Sequence, residues 1–139
     1  MNEKEPPPVP GTISDIVTHG IRVQARSTYV PERSSERDQH YFFAYTIQIS
    51  NEGEETAQLL AREWVITDGD GKQQTVVGPG VVGEKPVLDP GTSFEYQSFC
   101  PLSTPVGSMH GSYQFVTGDG RHFQAAIAPF TLAVPTALN

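Results

Sequence analysis

Between Tyr41 and Ile49 every second residue is large and apolar: Tyr41, Phe43, Tyr45, Ile47 and Ile49 share one parity, with Phe42, Ala44, Thr46 and Gln48 between them. A helix would scatter those five side chains around its circumference, whereas a strand sets them on one face. A strand with one apolar face needs a second layer to cover it. The rest of the chain offers material for such a layer. Ile21, Val23 and Ala25 alternate with Arg22, Gln24 and Arg26, within an alternating texture that begins near Asp15. Phe94, Tyr96 and Ser98 alternate with Glu95 and Gln97 in a strand ended by Pro101. Ser112 to Thr117 and Arg121 to Ile127 flank Gly118-Asp119-Gly120, a strong hairpin signal.

Two segments are less regular. Ala57 to Thr67 holds helix formers but closes on Trp64-Val65-Ile66-Thr67, without a capped helical stripe, and reads as a strand buried on both faces. After the Asp68-Gly69-Asp70-Gly71 turn, Lys72 to Val77 reads as another strand. In the last strand the inward parity is odd at Phe123, Ala125 and Ile127 but even at Phe130, Leu132 and Val134. A bulge or bend at Ala128-Pro129, on an edge strand, is therefore expected. With 12 Pro and 13 Gly the chain cannot be a helical bundle. The expectation is an all-β, antiparallel two-sheet sandwich of about seven strands, fibronectin type III or immunoglobulin-like in layout.

Length and charge narrow the function. A chain of 139 residues suits one domain, read here as residues 13–139 behind a flexible, proline-rich leader over 1–12. Nine basic against 16 acidic residues give a net charge of −7, the wrong sign for a protein that lives on nucleic acid. No secretory signal opens the chain. The most apolar stretch, Ala125 to Val134, is broken by Pro129 and far too short to span a membrane. The lone Cys100, between Phe99 and Pro101, reads as a small buried hydrophobe suited to a reducing cytoplasm.

Candidate chemistry centres on Gly78-Pro79-Gly80-Val81-Val82-Gly83-Glu84-Lys85-Pro86. Gly78, Gly80 and Gly83 match a dinucleotide-binding spacing, but Pro86 denies the helix that such a site needs, and Glu84 places a negative charge at it. Two readings stay open: a loop that turns tightly through positive φ, and an anion nest of backbone N–H groups beside Lys85. Arg22, Arg26, Arg33 and Arg37 are four of the six arginines. They read as a solvated face tempered by Glu32, Glu36 and Asp38, or as a docking patch for a protein.

His19, His40, His110 and His122 lack the spacing of a local metal motif. Asp68 and Asp70 lack the further ligands of a calcium loop and read as a turn. Glu63 beside Trp64 is a lone candidate for a carboxyl in an apolar pocket. No nucleophile motif is present. The expectation is therefore no catalytic residue, no metal and no cofactor.

Taken jointly, Arg62-Glu63-Trp64-Val65-Ile66-Thr67-Asp68, the Gly78–Pro86 loop, Leu88-Asp89-Pro90-Gly91 and Gly107-Ser108-Met109-His110-Gly111-Ser112-Tyr113 resemble the ApaG family. The resemblance runs from Asp15 to Val134. It implies a fibronectin type III-like β-sandwich. It also implies bacterial gene neighbours, a diadenosine tetraphosphate hydrolase and a ribosomal RNA dimethyltransferase, and a link to cobalt tolerance and magnesium efflux. The same domain in eukaryotic F-box and polymerase-delta-interacting proteins implies protein–protein interaction, and the family brings no established catalytic residues.

The functional expectation is a cytoplasmic, non-enzymatic binding module acting on a protein partner. Gly78, Gly80, Gly83, Glu84 and Lys85 are its expected binding loop, with the arginine segment alongside. Divalent-cation binding and nucleotide or pyrophosphate binding at the glycine loop are the alternatives.

Overall fold

A computed structural model describes residues 11–138. Within them the chain forms nine strands: β1 (Ile13–Thr18), β2 (Ile21–Tyr29), β3 (Tyr41–Asn51), β4 (Ala57–Asp68), β5 (Gln73–Pro79), β6 (Val87–Leu88), β7 (Ser93–Leu102), β8 (Val106–Thr117) and β9 (His122–Ala133). They build two antiparallel sheets, in the orders β1-β2-β3-β7 and β5-β4-β8-β9, with β6 also paired to β4. The expected two-sheet sandwich is therefore present. The strand count exceeds seven for two reasons. His19 and Gly20, both at positive φ, form a tight turn that splits the first alternating run into β1 and β2, and β6 is only two residues long.

The regular strands place the core. Phe43, Tyr45, Ile47 and Ile49 of β3 face Ile21, Val23 and Ala25 of β2 along one inner surface. Leu59, Trp64, Met109, Tyr113, Phe115, Phe130 and Leu132 cover them from the second sheet. Burying each such side chain contributes about 1.5–3 kcal/mol.

Two bulges re-aim the second sheet. Between β8 and β9 the register shifts so that Ala128 and Pro129 together oppose His110, which is the irregularity expected from the parity flip. Between β4 and β8 the register shifts at Leu60, which stands as an extra residue on β4. Ala57 and Leu59 point inward before that bulge, and Trp64 after it. This corrects the reading of β4 as buried on both faces: its outer face carries exposed Glu63, opposite Ser112 of β8. Pro101 likewise does not end β7, which continues to Leu102. β7 lies at the margin of its sheet, where proline removes no ladder bond.

The two sides of the sandwich differ. On one side hydroxyl groups stitch the sheets together: Ser14 Oγ donates to Ala128 O at 2.9 Å, Ser27 Oγ donates to Thr131 O, and Thr18 Oγ1 accepts from Ala126 N. Thr131 N also donates to Gly11 O at 2.6 Å, and Thr12 is buried. Gly11 and Thr12 thus belong to the sandwich and not to the leader, whose remaining residues 1–10 lie outside the described ones. On the other side Asn51 Nδ2 of β3 donates to Leu88 O of β6 at 2.9 Å, and between β7 and β5 a cleft opens.

Candidate functional site

The glycine loop is the lip at one end of that cleft, joined to its wall by the bonds of Arg62 to Pro79 and Gly80. β5 and β6 run along the same margin of β4, β5 pairing with Ala61 to Thr67 and β6 with Ala57 and Gln58. The chain between them is thrown outward opposite the Leu60 bulge. Gly80 N donates to Leu60 O and Leu59 N to Pro86 O, which fastens both roots of the excursion. Val81 and Glu84 exchange both backbone bonds at 2.8 Å, so Val82 and Gly83 are the central residues of a two-residue turn, at φ +42 and +81. Positive φ at both positions defines a type I′ turn.

Each glycine has its own reason. A Cβ on Gly80 (φ +59) would meet Glu84 O at 2.3 Å, and one on Gly78 would meet the guanidinium of Arg62. Gly83 takes the positive φ of the turn. The N–H groups of Gly80, Val81 and Glu84 are spent on these internal bonds. Of the two readings left open for the loop, the tight turn is the one its geometry follows. Glu84 and Lys85 are exposed at its far side, where Lys85 O accepts from Gln58 Nε2.

The loop presents an apolar surface. Val81 is buried in the core and anchors the turn, while Val82 is 54% exposed. Val77 before the loop and Val87 after it are 70% and 58% exposed. A β-branched residue at positive φ is a strained arrangement, costing about 1–2 kcal/mol, and here it holds an apolar side chain outward. On the outer face of the first sheet, at its β7 margin, stands an aromatic platform. Phe99 of β7, 47% exposed, stacks on Phe42 of β3 at 5.3 Å between ring centroids. The guanidinium of Arg33 lies 4.3 Å from the centroid of Phe42.

Of the four arginines singled out, only Arg33 reaches this platform. Arg22 and Arg26 lie on β2, and their side chains leave the outer face of the first sheet. Arg22 is held by Asp15 (2.6 Å) and Glu52 (3.5 Å). Arg37 is exposed beside Asp38, in the turn before β3. Arg22, Arg26 and the platform under Arg33 share the outer face of the first sheet.

Beneath the lip, Tyr45, Arg62, Trp64, Ser98, Cys100 and Met109 line a cleft of about 330 Å³. Arg62 is half-buried and reaches up to the lip, Nη1 donating to Pro79 O at 2.9 Å and Gly80 O at 2.8 Å. Deeper in, the hydroxyls of Tyr96 and Tyr113 share a short hydrogen bond. Burial pushes the hydroxyls of Tyr45, Tyr96 and Tyr113 above the ordinary tyrosine value, and Arg62 pulls each back slightly. Burial likewise pushes the Cys100 thiol up to about 11, so it stays a neutral, unreactive hydrophobe. Sequence reasoning missed Arg62 and this cleft. The one signal was an arginine two residues before Trp64, at a position whose inward parity depends on an unseen bulge.

The remaining polar candidates serve local structure. Asp68 Oδ1 accepts from Asp70 N and Lys72 N, closing its own turn. Glu63 is exposed on the outer face, so its apolar-pocket reading is corrected. His19 lies in the β1–β2 turn against Phe123, and His110 opposite the β9 bulge. Among the described residues no three His, Cys, Asp or Glu stand together as metal ligands, and no helix is long and apolar enough to cross a membrane.

A family model described as the ApaG domain matches residues 31–117. The chain is 53% identical over 127 residues to Protein ApaG of Anaeromyxobacter dehalogenans strain 2CP-1, covering 91% of this chain and 100% of that one. It is 55% identical over 119 residues to Protein ApaG of Nitrosospira multiformis, covering 86% and 94%. A crystal structure described as the ApaA protein of Bordetella pertussis superposes with a TM-score of 0.81 at 47% identity, over 87% of this chain and 95% of that one.

Proposed function

This chain belongs to the ApaG domain family, and from that premise we propose that it is a non-catalytic binding module whose ligand is a protein. The observation that carries this reading is the glycine loop. Its glycines, its Arg62 clamp and its buried Val81 together hold Val82 outward at a strained φ, between exposed Val77 and Val87. A rigid apolar projection loses little entropy on docking, and strain kept at an exposed tip suits contact better than folding. The Arg33–Phe42–Phe99 stack on the outer face of the first sheet adds the residue types that dominate interface energetics. A cytoplasmic site of action, and a bearing on cobalt tolerance and magnesium efflux through the partner, belong to the same proposal.

Affinity capture from the native cell tests it with two variants. Val82→Asp, at the loop tip, should lose a partner that wild type recovers. Val17→Asp, on the exposed far margin in β1, should keep it. Equal recovery by all three proteins would overturn the assignment of the loop as the docking surface.

A further inference from the structure

We propose that the cleft beneath the glycine loop is a binding site for a carboxylate carried on a small apolar body. The inference does not rest on the protein-docking reading; it rests on the walls of the cleft. Arg62 is an arginine at an inward-facing position, and among the described residues it has no carboxylate partner. Its hydrogen bonds leave from Nη1 alone, both to carbonyl oxygens of the lip. The guanidinium is thus fixed in place, with Nε and Nη2 unspent, and such a planar fork matches the two oxygens of a carboxylate. A half-buried cation without a counter-charge is costly in a water-poor setting, and no acidic residue lines this cleft in a chain of net charge −7.

A second, independent observation comes from Trp64. Its indole Nε1–H is buried and has no acceptor among the described residues. Leaving such a donor unmade costs about 1–3 kcal/mol. Trp64 lines the same cleft as Arg62, so the side chain that carries this unmet donor borders the space a ligand would fill. The other walls mix polar Gln74 and Ser98 with apolar Ile66, Val76, Phe99 and Met109, room for a small apolar body beside a polar head. The volume of about 330 Å³ falls at the small end of ligand sites. A single fixed guanidinium without lysines or a free backbone nest suits a monoanion better than a phosphate, which usually collects several donors. The carboxylate can come from a free organic acid or from the C-terminus of a peptide, since both offer the same oxygens beside an apolar group.

The test uses the whole chain, ¹⁵N-labelled, with its single tryptophan as reporter. Phenylacetate is titrated against its neutral match phenylacetamide, and N-acetylphenylalanine against N-acetylphenylalanine amide. The expected result is a saturable shift of the Trp64 indole resonance with each acid and none with either amide. Arg62→Gln should weaken binding at least tenfold. Because that change also removes the clamp on the loop, Gln74→Phe, which fills the mouth and leaves Arg62 untouched, should weaken binding as well. Tighter binding of N-acetylphenylalanine supports a peptide terminus as the source, and tighter binding of phenylacetate supports a free acid. Equal shifts with acids and amides, no saturable shift with the acids, or undiminished binding by both folded variants would overturn the proposal. Only purified protein and small acids are used, so a negative result leaves the partner-capture outcome independent.

Discussion

Arg62 and Gly78 face each other across β4 and β5, and the guanidinium occupies the place a side chain on Gly78 would take: a Cβ there would lie 2.9 Å from Nη2 and 3.1 Å from Cζ. Gly78→Ala is met by the far end of a flexible side chain, which can swing away. The expected cost in urea unfolding is below about 1 kcal/mol, while the clamp on Pro79 and Gly80 loosens and amide exchange at Gly80 to Glu84 speeds up. Gly111→Ala is the contrasting case, because its Cβ would meet backbone, Glu63 O, at 2.0 Å. That substitution should cost at least about 3 kcal/mol, since strand must move off strand. Equal losses for the two would contradict this account.

The strain at Val82 can be relieved. Asn is at home at the first central position of a type I′ turn, so Val82→Asn should stabilise the fold by about 1 kcal/mol. The expected sign is opposite to that of most substitutions, and thermal or urea unfolding reads it directly. The same variant should bind the loop's partner less well, as stability and recognition pull apart at this residue.

The Tyr96–Tyr113 bond is buried, with Tyr113 wholly enclosed. Tyr113→Phe leaves the Tyr96 hydroxyl without its partner and should cost about 1–3 kcal/mol, and Tyr96→Phe should behave alike. Removing both hydroxyls removes the unmet group, so the double variant should be more stable than the sum of the single losses allows, by about 1 kcal/mol. Simple additivity in urea unfolding would show that the two hydroxyls do not depend on one another.

Alkali should unfold the protein through the same residues. Burial raises the folded-state pKa of Tyr45, Tyr96, Tyr113 and Cys100 above their ordinary values. The unfolded chain therefore loses these protons first, and the stability they carry is complete below the ordinary thiol and tyrosine values of about 9 and 10. It then falls as pH rises through that range toward the folded-state values. Tyrosinate absorbance near 295 nm from these three tyrosines should appear together with loss of the native fluorescence of Trp64. Full titration of them with native fluorescence retained would contradict the burial argument.

Acid acts in the opposite direction and at the surface. The guanidinium of Arg22 holds the Asp15 carboxyl below its usual value, and Thr117 with Arg121 does the same for Asp119. Their contribution is present above the ordinary carboxylate pKa and is lost as pH falls through the lowered one. Both pairs are exposed, so neutralising Asp15 as Asp15→Asn should shift the acid midpoint only slightly, and less at high salt.

What the sequence discloses depends on whether a strand keeps its step. β3 is regular from end to end, so Tyr41 to Ile49 announces itself. β4 does not, because the extra residue at Leu60 moves the inward set from Ala57 and Leu59 to Trp64. An alternation summed over both halves cancels and imitates a strand buried on both faces. In β9 the same kind of shift is legible, because Ala128-Pro129 sits between two long runs of clear and opposite parity. The glycine loop is visible as an excess of Gly and Pro, but Arg62 is not visible as its clamp. That contact joins residues 17 and 18 positions apart, and only the pairing of β4 with β5 brings them together. The four arginines of the first third are near one another in sequence, yet Arg22 is spent on Asp15 and Glu52, Arg33 on the Phe42 ring, and Arg37 stands beside Asp38 in a turn.

The excursion between Pro79 and Val87 also governs how copies of this molecule meet each other. An uncharged stretch such as Gln73 to Val77 at the rim of a sheet invites another chain to zip alongside it. Here the edge on offer stops at Pro79, because the chain leaves the sheet for the turn at Val82-Gly83 and only the two residues of β6 return to the same margin. A newcomer therefore finds one short row of free backbone groups in place of a margin running the full length of β4.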